Sequence, residues 1–302
     1  MRVGVEVGGT FTDLVAVEEG RVRIAKVPST PEAPDRGAFN ALLAGGFPIA
    51  DVTDLTHGST VATNAVLERK GKRIALITTA GFRDIMSMQR HNRHRIYDIE
   101  YEKPKPVVER CDTFEVTERI DGGGEIISAL DEEAFRQDLL PRLAEGDYAA
   151  VAICLLNAYA NPAHERRLAA ILREALPEVF LALSHEINRE FREFERASTT
   201  TLSAYIQPII DSYLQRFSAQ LRGNGFTGQF SFMQSNGGRI PADGMANSAI
   251  TALLSGPAAG VMGGARQAQS SGFENVITLD MGGTSTDVCL VSSGNPELTS
   301  EF

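Results

Sequence analysis

Val3-Gly4-Val5-Glu6-Val7-Gly8-Gly9-Thr10-Phe11-Thr12-Asp13-Leu14-Val15-Ala16-Val17 stands near the start of the chain. Its pattern returns near the other end as Val276-Ile277-Thr278-Leu279-Asp280-Met281-Gly282-Gly283-Thr284-Ser285-Thr286-Asp287-Val288-Cys289-Leu290-Val291. Each copy is an apolar run carrying one acid, a Gly-Gly-Thr-x-Thr-Asp turn, and a second apolar run. That reads as a buried strand, a tight turn and another strand. Paired glycines admit positive φ and let a bulky ligand come close to the backbone. Successive N–H groups in such a turn make a concave anion site, to which Thr10, Thr12, Thr284 and Thr286 add hydroxyl donors. One copy alone reads equally well as an ordinary hairpin. Two matched copies predict a duplicated fold that grips one ligand from both sides.

Glu6 and Asp280 close the first strand of each copy. A carboxylate there is placed to hold Mg²⁺ directly or through its waters, because Mg²⁺ prefers oxygen ligands and keeps several waters beside phosphates. Asp13 and Asp287 have two readings, a bond to the turn's own backbone or a direct catalytic role.

The 302 residues suffice for about two domains, each with its own core. A hydrophobic share of 43% and a charged share of 23% are those of a globular chain. The net charge of −10 argues against a general binder of nucleic acid or anionic membranes. No apolar run is long enough to cross a bilayer, and the chain starts directly on a strand pattern without a signal peptide. Cys111, Cys154 and Cys289 are too few and scattered for a disulfide framework or zinc cluster, and read as small buried residues in a reducing cytoplasm.

Residues 1–30 read as three successive strands at the edge of a mixed sheet. Pro31 and Pro34 lead into a helix over 35–44, and a short strand at 55–58 precedes a helix over 59–70 capped by Ser59 or Thr60. A strand at 73–78 follows. Residues 82–110 are the densest basic segment of an acidic chain, with Arg83, Arg90, Arg93, Arg95, His91 and His94. They read as a solvated loop or as an anion-binding or subunit-contact loop. A hairpin spans 114–127 and a helix 131–144. Strands at 149–155 and 180–184 flank a helix over 161–176, an alternation that marks the α/β class. A long helical region over 191–222 is interrupted at Pro208, and a strand covers 230–234. Residues 255–265 carry so many small side chains that a helix there needs a packing reason, which close approach by another backbone would supply.

His57 enters a turn before a helix and reads either as a catalytic residue or as a histidine satisfied in the core. His185 and Glu186 follow an apolar strand, at the sheet end where α/β ligands collect.

Strand, glycine turn, strand, small-residue helix and a second such turn resemble the actin, sugar-kinase and heat-shock-chaperone ATPase superfamily. The stretches Gly8–Asp13, His57-Gly58-Ser59-Thr60-Val61-Ala62-Thr63-Asn64, Gly81-Phe82-Arg83-Asp84, Ser184-His185-Glu186, Arg196-Ala197-Ser198-Thr199-Thr200, Met233-Gln234-Ser235-Asn236-Gly237-Gly238, Ser255-Gly256-Pro257-Ala258-Ala259-Gly260 and Asp280–Asp287 resemble, more narrowly, the N-terminal half of the hydantoinase A/5-oxoprolinase family. The resemblance implies duplicated ribonuclease H-like, actin-like ATPase domains with mixed sheets. The first spans 1–187, and the second, 188–302, stops short of its full extent.

It also implies an ATP- and Mg²⁺-dependent cytoplasmic hydrolase of cyclic amides, of the hydantoin or 5-oxoproline type. Such an enzyme phosphorylates the amide oxygen and works with a dissimilar, hydantoinase B-like subunit. Gly8, Gly9, Thr10, Thr12, Gly282, Gly283, Thr284 and Thr286 are then the phosphate holders, and Glu6 and Asp280 the metal residues. Asp13, Asp287 and His57 are catalytic candidates, and Arg83, Arg90, Arg93, His185 and Glu186 substrate candidates. Glu6 departs from the superfamily's usual Asp. A subunit of an acetone- or acetophenone-type carboxylase acting on a ketone, and a non-catalytic ATP-binding switch, remain as alternatives.

Overall fold

The computed structural model describes residues 1–93, 95–245, 248–281 and 286–297. The chain folds as two compact units, Met1–Glu68 with Ile210–Phe302, and Arg69–Ile209. The sequence boundary at 187/188 follows the chain, whereas these units follow contacts: the chain leaves the first unit after residue 68 and re-enters it at 210.

In the first unit, Val3, Val5 and Val7 alternate with Gly4 and Glu6, so the β-branched side chains of Arg2–Val7 share one buried face. This strand pairs antiparallel with Phe11–Glu18, which pairs antiparallel with Arg21–Pro28 at the sheet edge, the expected meander. On its other side it pairs parallel with Asp54–Ser59, and Gln229–Met233 and Arg239–Pro241 complete six strands. The helix Pro34–Ala44 has proline in its first turn, where no N–H is needed. Its Ala38, Ala41 and Leu42 join Val3, Val5, Leu14, Leu55 and Phe217 in one buried cluster. The second hairpin, Val276–Met281 with Thr286–Ser292, packs beside the helix Ser255–Ser270.

The second unit is built on four parallel strands in the spatial order Phe180–Leu183, Ala150–Cys154, Ile74–Thr79, Thr113–Val116. Ala150–Cys154 and Ile74–Thr79 are buried at every position, as central strands of a parallel sheet are. The helix Ala163–Ala175 buries Leu168, Ala169, Ile171 and Leu172 in this core.

Four local expectations change. Thr113–Val116 joins the parallel sheet, and only Arg119–Ile120 and Ile126–Ser128 form the small hairpin. Ser59 belongs to a strand, so the next helix is Val61–Leu67. The helix over 131–144 contains a π segment, Phe135–Leu139, just before Pro141, whose missing N–H breaks the regular ladder. Glu193–Gly223 runs on as a single helix through Pro208. It is anchored before the proline by buried Ala204, Tyr205 and Ile206, and after it by Ile210, Tyr213 and Phe217, and this burial outweighs the lost hydrogen bond.

Candidate functional site

The first hairpin turns with Gly8 N donating to Phe11 O at 3.0 Å. Gly9 and Thr10 stand exposed at its tip. Thr12 does not: it lies on the core face of its strand, is fully buried, and its hydroxyl meets Ser29 Oγ at 3.2 Å. Ser29 in turn donates to Gly8 O at 2.7 Å, and its N–H donates to Thr10 O at 2.9 Å. Thr12 therefore braces the turn from beneath rather than offering a donor to a ligand. Ser29 arrives from 17 residues downstream, with no local signal in the sequence to mark it.

The two hairpins share one register. Glu6 lies opposite Asp13 and Val7 opposite Thr12, while Asp280 lies opposite Asp287 and Met281 opposite Thr286. The expected phosphate holders Gly282, Gly283 and Thr284 lie outside the described residues. Thr286 is described and exposed.

The helix Ser255–Ser270 explains its own small residues. A Cβ on Gly256 would come within 2.5 Å of Glu6 Oε1, and one on Gly260 would lie 3.6 Å from Asp280 Oδ2. These glycines are one turn apart on one face. That face therefore receives an acid from each hairpin. Gly58 completes the cradle, since a Cβ there would collide with Glu6 Oε2. Burial first, then the charges of Asp13 and Asp280, push the Glu6 carboxyl up to about 7.

Such a half-buried carboxylate, repelled by two others, fits a divalent cation. Among the described residues no group of three or more His, Cys, Asp and Glu side chains is placed to hold a metal ion.

Asp13 has a partner that neither sequence reading named. Its carboxylate pairs with Lys26 Nζ at 2.5 Å, from the facing position on Arg21–Pro28. Lys26 also lies 4.9 Å from the centre of the Phe11 ring. Only strand register brings it to the turn.

His57 is the core histidine of its two readings. It is fully buried, with Nδ1 3.0 Å from Val5 O and Nε2 hydrogen-bonded to Tyr213 OH. Tyr213, Phe217, Phe230 and Phe232 surround the ring. Burial lowers its pKa to about 4, only partly offset by the Val5 carbonyl. A neutral ring with both nitrogens engaged is not free to act on a substrate.

Arg83, Arg90, Arg93, His185 and Glu186 all belong to the second unit. Arg83 donates to Arg110 O at 3.1 Å, and Arg90 pairs with Glu195. These partners fix them structurally, whereas Arg93 is exposed. His185 is buried, with Nδ1 2.7 Å from Glu165 Oε2, and Glu186 lies 3.8 Å from its Nε2 with its own side chain largely exposed. Around them Glu165 accepts from Leu155 N and Ser184 Oγ, and Arg196 reaches Ser184 Oγ and Leu155 O. All three cysteines are free, but only Cys154 is buried, while Cys111 is exposed and Cys289 half-buried. No described helix is long and apolar enough to cross a membrane.

Comparison with known proteins adds the following. The hydantoinase/oxoprolinase N-terminal region matches residues 2–176, and the hydantoinase/oxoprolinase domain matches residues 196–302. The chain is 36% identical over 312 residues to caprolactamase subunit alpha of Pseudomonas jessenii, covering 99% of this chain and 44% of that one. The solved structure of that ATP-dependent caprolactamase superposes with a TM-score of 0.86 at 35% identity, over 96% of this chain and 43% of the other. Identity to the acetophenone carboxylase gamma subunit of Aromatoleum aromaticum is also 36%, over 313 residues, 96% of this chain and 42% of that one. Nucleotide-free acetone carboxylase, from work on ATP-dependent acetone carboxylation, superposes with a TM-score of 0.85 at 27% identity, over 98% and 45% of the two chains. The chain spans about half the length of the curated relatives it matches.

Proposed function

This chain belongs to the hydantoinase/oxoprolinase family and has its α/β, actin-like ATPase fold, and from that premise we propose that it is part of an ATP-dependent hydrolase of cyclic amides. The observation that carries the reading is the pair Gly256 and Gly260, whose shared helix face receives Glu6 from one glycine-turn hairpin and Asp280 from the other. Similarity to an ATP-dependent caprolactamase supports the substrate class.

Gly8, Gly9 and Thr10 would cradle phosphate oxygens with backbone N–H groups and the Thr10 hydroxyl. Gly282, Gly283, Thr284 and Thr286 would do the same from the second hairpin. Glu6 and Asp280 would hold hydrated Mg²⁺, and Lys26, already paired with Asp13, would add a positive charge beside the first turn. Bound ATP supplies the phosphoryl group that converts an unreactive amide oxygen into a leaving group. The residues named here only position and neutralise charge. The subunit names of the caprolactamase and the acetophenone carboxylase support a dissimilar partner chain, and a cytoplasmic site of action fits the free thiols. The sequence halves 1–187 and 188–302 would each contribute one phosphate turn.

The test is calorimetric titration of Mg·ATP into the chain and into its Gly9→Val variant, followed by ATP hydrolysis with lactams or with ketone and bicarbonate. Binding lost in the variant, and turnover stimulated by lactams, is the expected result. Stimulation by ketone and bicarbonate would favour the carboxylase reading, which the equal identity to the acetophenone carboxylase subunit keeps alive. Turnover indifferent to both would make the chain an ATP-binding switch.

A further inference from the structure

The basic segment of the second unit is a loop pinned at its neck, with an apolar tip. At the neck, Gln89 Nε2 donates to Pro104 O at 2.8 Å, and Lys103 Nζ donates to Met88 O at 2.7 Å. Arg69 adds bonds to the carbonyls of Lys105 and Pro106. Beyond the neck two turns follow one another, with Asp98 N donating to Arg95 O and Tyr101 N to Asp98 O, both at 3.3 Å. The Asp98 carboxylate also accepts from Glu100 N at 3.1 Å. The loop is thus held by its own bonds, as compact surface loops with closed ends are.

Its tip is apolar and uncovered. Ile96 is 73% exposed, Tyr97 97% and Ile99 98%. A single exposed apolar residue is ordinary, but three within four positions make a patch. Tyrosine and arginine together are what the centre of a protein interface favours.

Charge is ordered around that patch. Exposed His91, Arg93 and Arg95 precede it, whereas Asp98 lies within it and exposed Glu100 and Glu102 follow it. Arg95 pairs with Asp98 at 3.2 Å. Arg93, Glu100 and Glu102 have no ion-pair partner among the described residues. An anionic membrane would attract the first limb of the loop and repel the second. A second copy of the loop suits both limbs. A two-fold axis through the tip reverses the chain direction, so each basic limb meets the other copy's acidic limb and the apolar tips meet each other.

We propose that this chain self-associates as a two-fold dimer through residues 91–93 and 95–102. Ile96, Tyr97 and Ile99 form the centre of the contact, and Arg93 and Arg95 of each copy face Glu100 and Glu102 of the other. One loop from each copy makes a small interface, so the dimer is weak and depends on concentration. This surface is separate from the phosphate turns and does not rest on the nucleotide reading.

The test is sedimentation velocity of the whole chain over a wide range of concentration. The expected result is a rise from monomer to twice the chain mass, shifted to higher concentration by added salt. Tyr97→Ser combined with Ile99→Ser should weaken association at least about tenfold. Arg93→Glu with Arg95→Glu should abolish it, and so should Glu100→Arg with Glu102→Arg, because like charges then face each other. An equimolar mixture of these two charge-reversed chains should dimerise again, since every basic limb once more meets an acidic one. That recovery also shows that neither variant failed merely by misfolding. A monomer at every concentration overturns the proposal, whether or not it binds phosphatidylserine vesicles. So does a dimer indifferent to the charge reversals, or a mixture that stays monomeric.

Discussion

The hairpins Arg2–Val7/Phe11–Glu18 and Val276–Met281/Thr286–Ser292 are built alike and surrounded differently. Both place an acid opposite an aspartate and end on the same pairing step. In the first, Val3, Val5, Val7 and Leu14 are at most 3% exposed. In the second, Ile277, Leu279, Met281 and Val288 are all more than 60% exposed. Local sequence therefore sets register, whereas burial comes from what packs on the strands. The first hairpin has the helix Pro34–Ala44 and a parallel neighbour, Asp54–Ser59.

That contrast can be broken most directly by truncation. Leu14→Ala is expected to cost about 2–5 kcal/mol, the range for a buried leucine, while Leu279→Ala should stay within about 0.5 kcal/mol. Urea unfolding monitored by circular dichroism gives both values. Similar costs would mean that the two hairpins share one environment.

The next effect is on pH dependence and belongs to the first hairpin's sheet alone. His57 titrates near 6.5 when unfolded and near 4 when folded, so the unfolded chain binds more protons between those values. The His57 contribution should be complete above about pH 6.5 and fall by about 3 kcal/mol as the pH drops to 4, while Glu6, held up at about 7 in the same sheet, contributes in the opposite direction between pH 7 and 4.5. Denaturation midpoints across that window check this, and His57→Gln should flatten the histidine part of the slope while lowering stability at pH 7.

Smaller, and aimed at the site, is a pair of glycine substitutions. Gly256→Ala thrusts a Cβ at Glu6 and should weaken Mg·ATP binding about tenfold. Gly260→Ala meets Asp280 at an ordinary contact distance and should change it less than about twofold. Calorimetry distinguishes them, and equal losses would show both acids equally confined. Smallest is Lys26→Met. Its ion pair with Asp13 is about half-exposed, so stability should move by less than about 0.5 kcal/mol, with a few-fold loss in Mg·ATP affinity.

Much of this was legible in the chain. Gly-Gly-Thr turns between alternating valines are local signals, and so are the proline-led helix at Pro34 and the strand–helix alternation of the second unit. What could not be read depends on pairing between distant segments. Lys26 reaches Asp13 through strand register, and Ser29 braces Gly8 across a turn. His57 is enclosed by aromatic residues more than 150 positions away, which turns an apparent catalytic candidate into a packing residue. Thr12 is buried although it belongs to the motif, because a strand sends alternate side chains to opposite faces. At Pro208 a local penalty competes with packing that the local sequence does not display, and the packing prevails.

The cradle of Gly58 and Gly256 around Glu6 has an evolutionary corollary. Side-chain length at position 6 and side-chain volume at positions 58 and 256 fill one shared space, so they constrain one another. An aspartate at 6 would vacate room for a methyl group at 58 or 256, and a glutamate demands that both stay empty. Lineages of this fold should exchange the two in concert, and swapping either alone should be the change that selection removes.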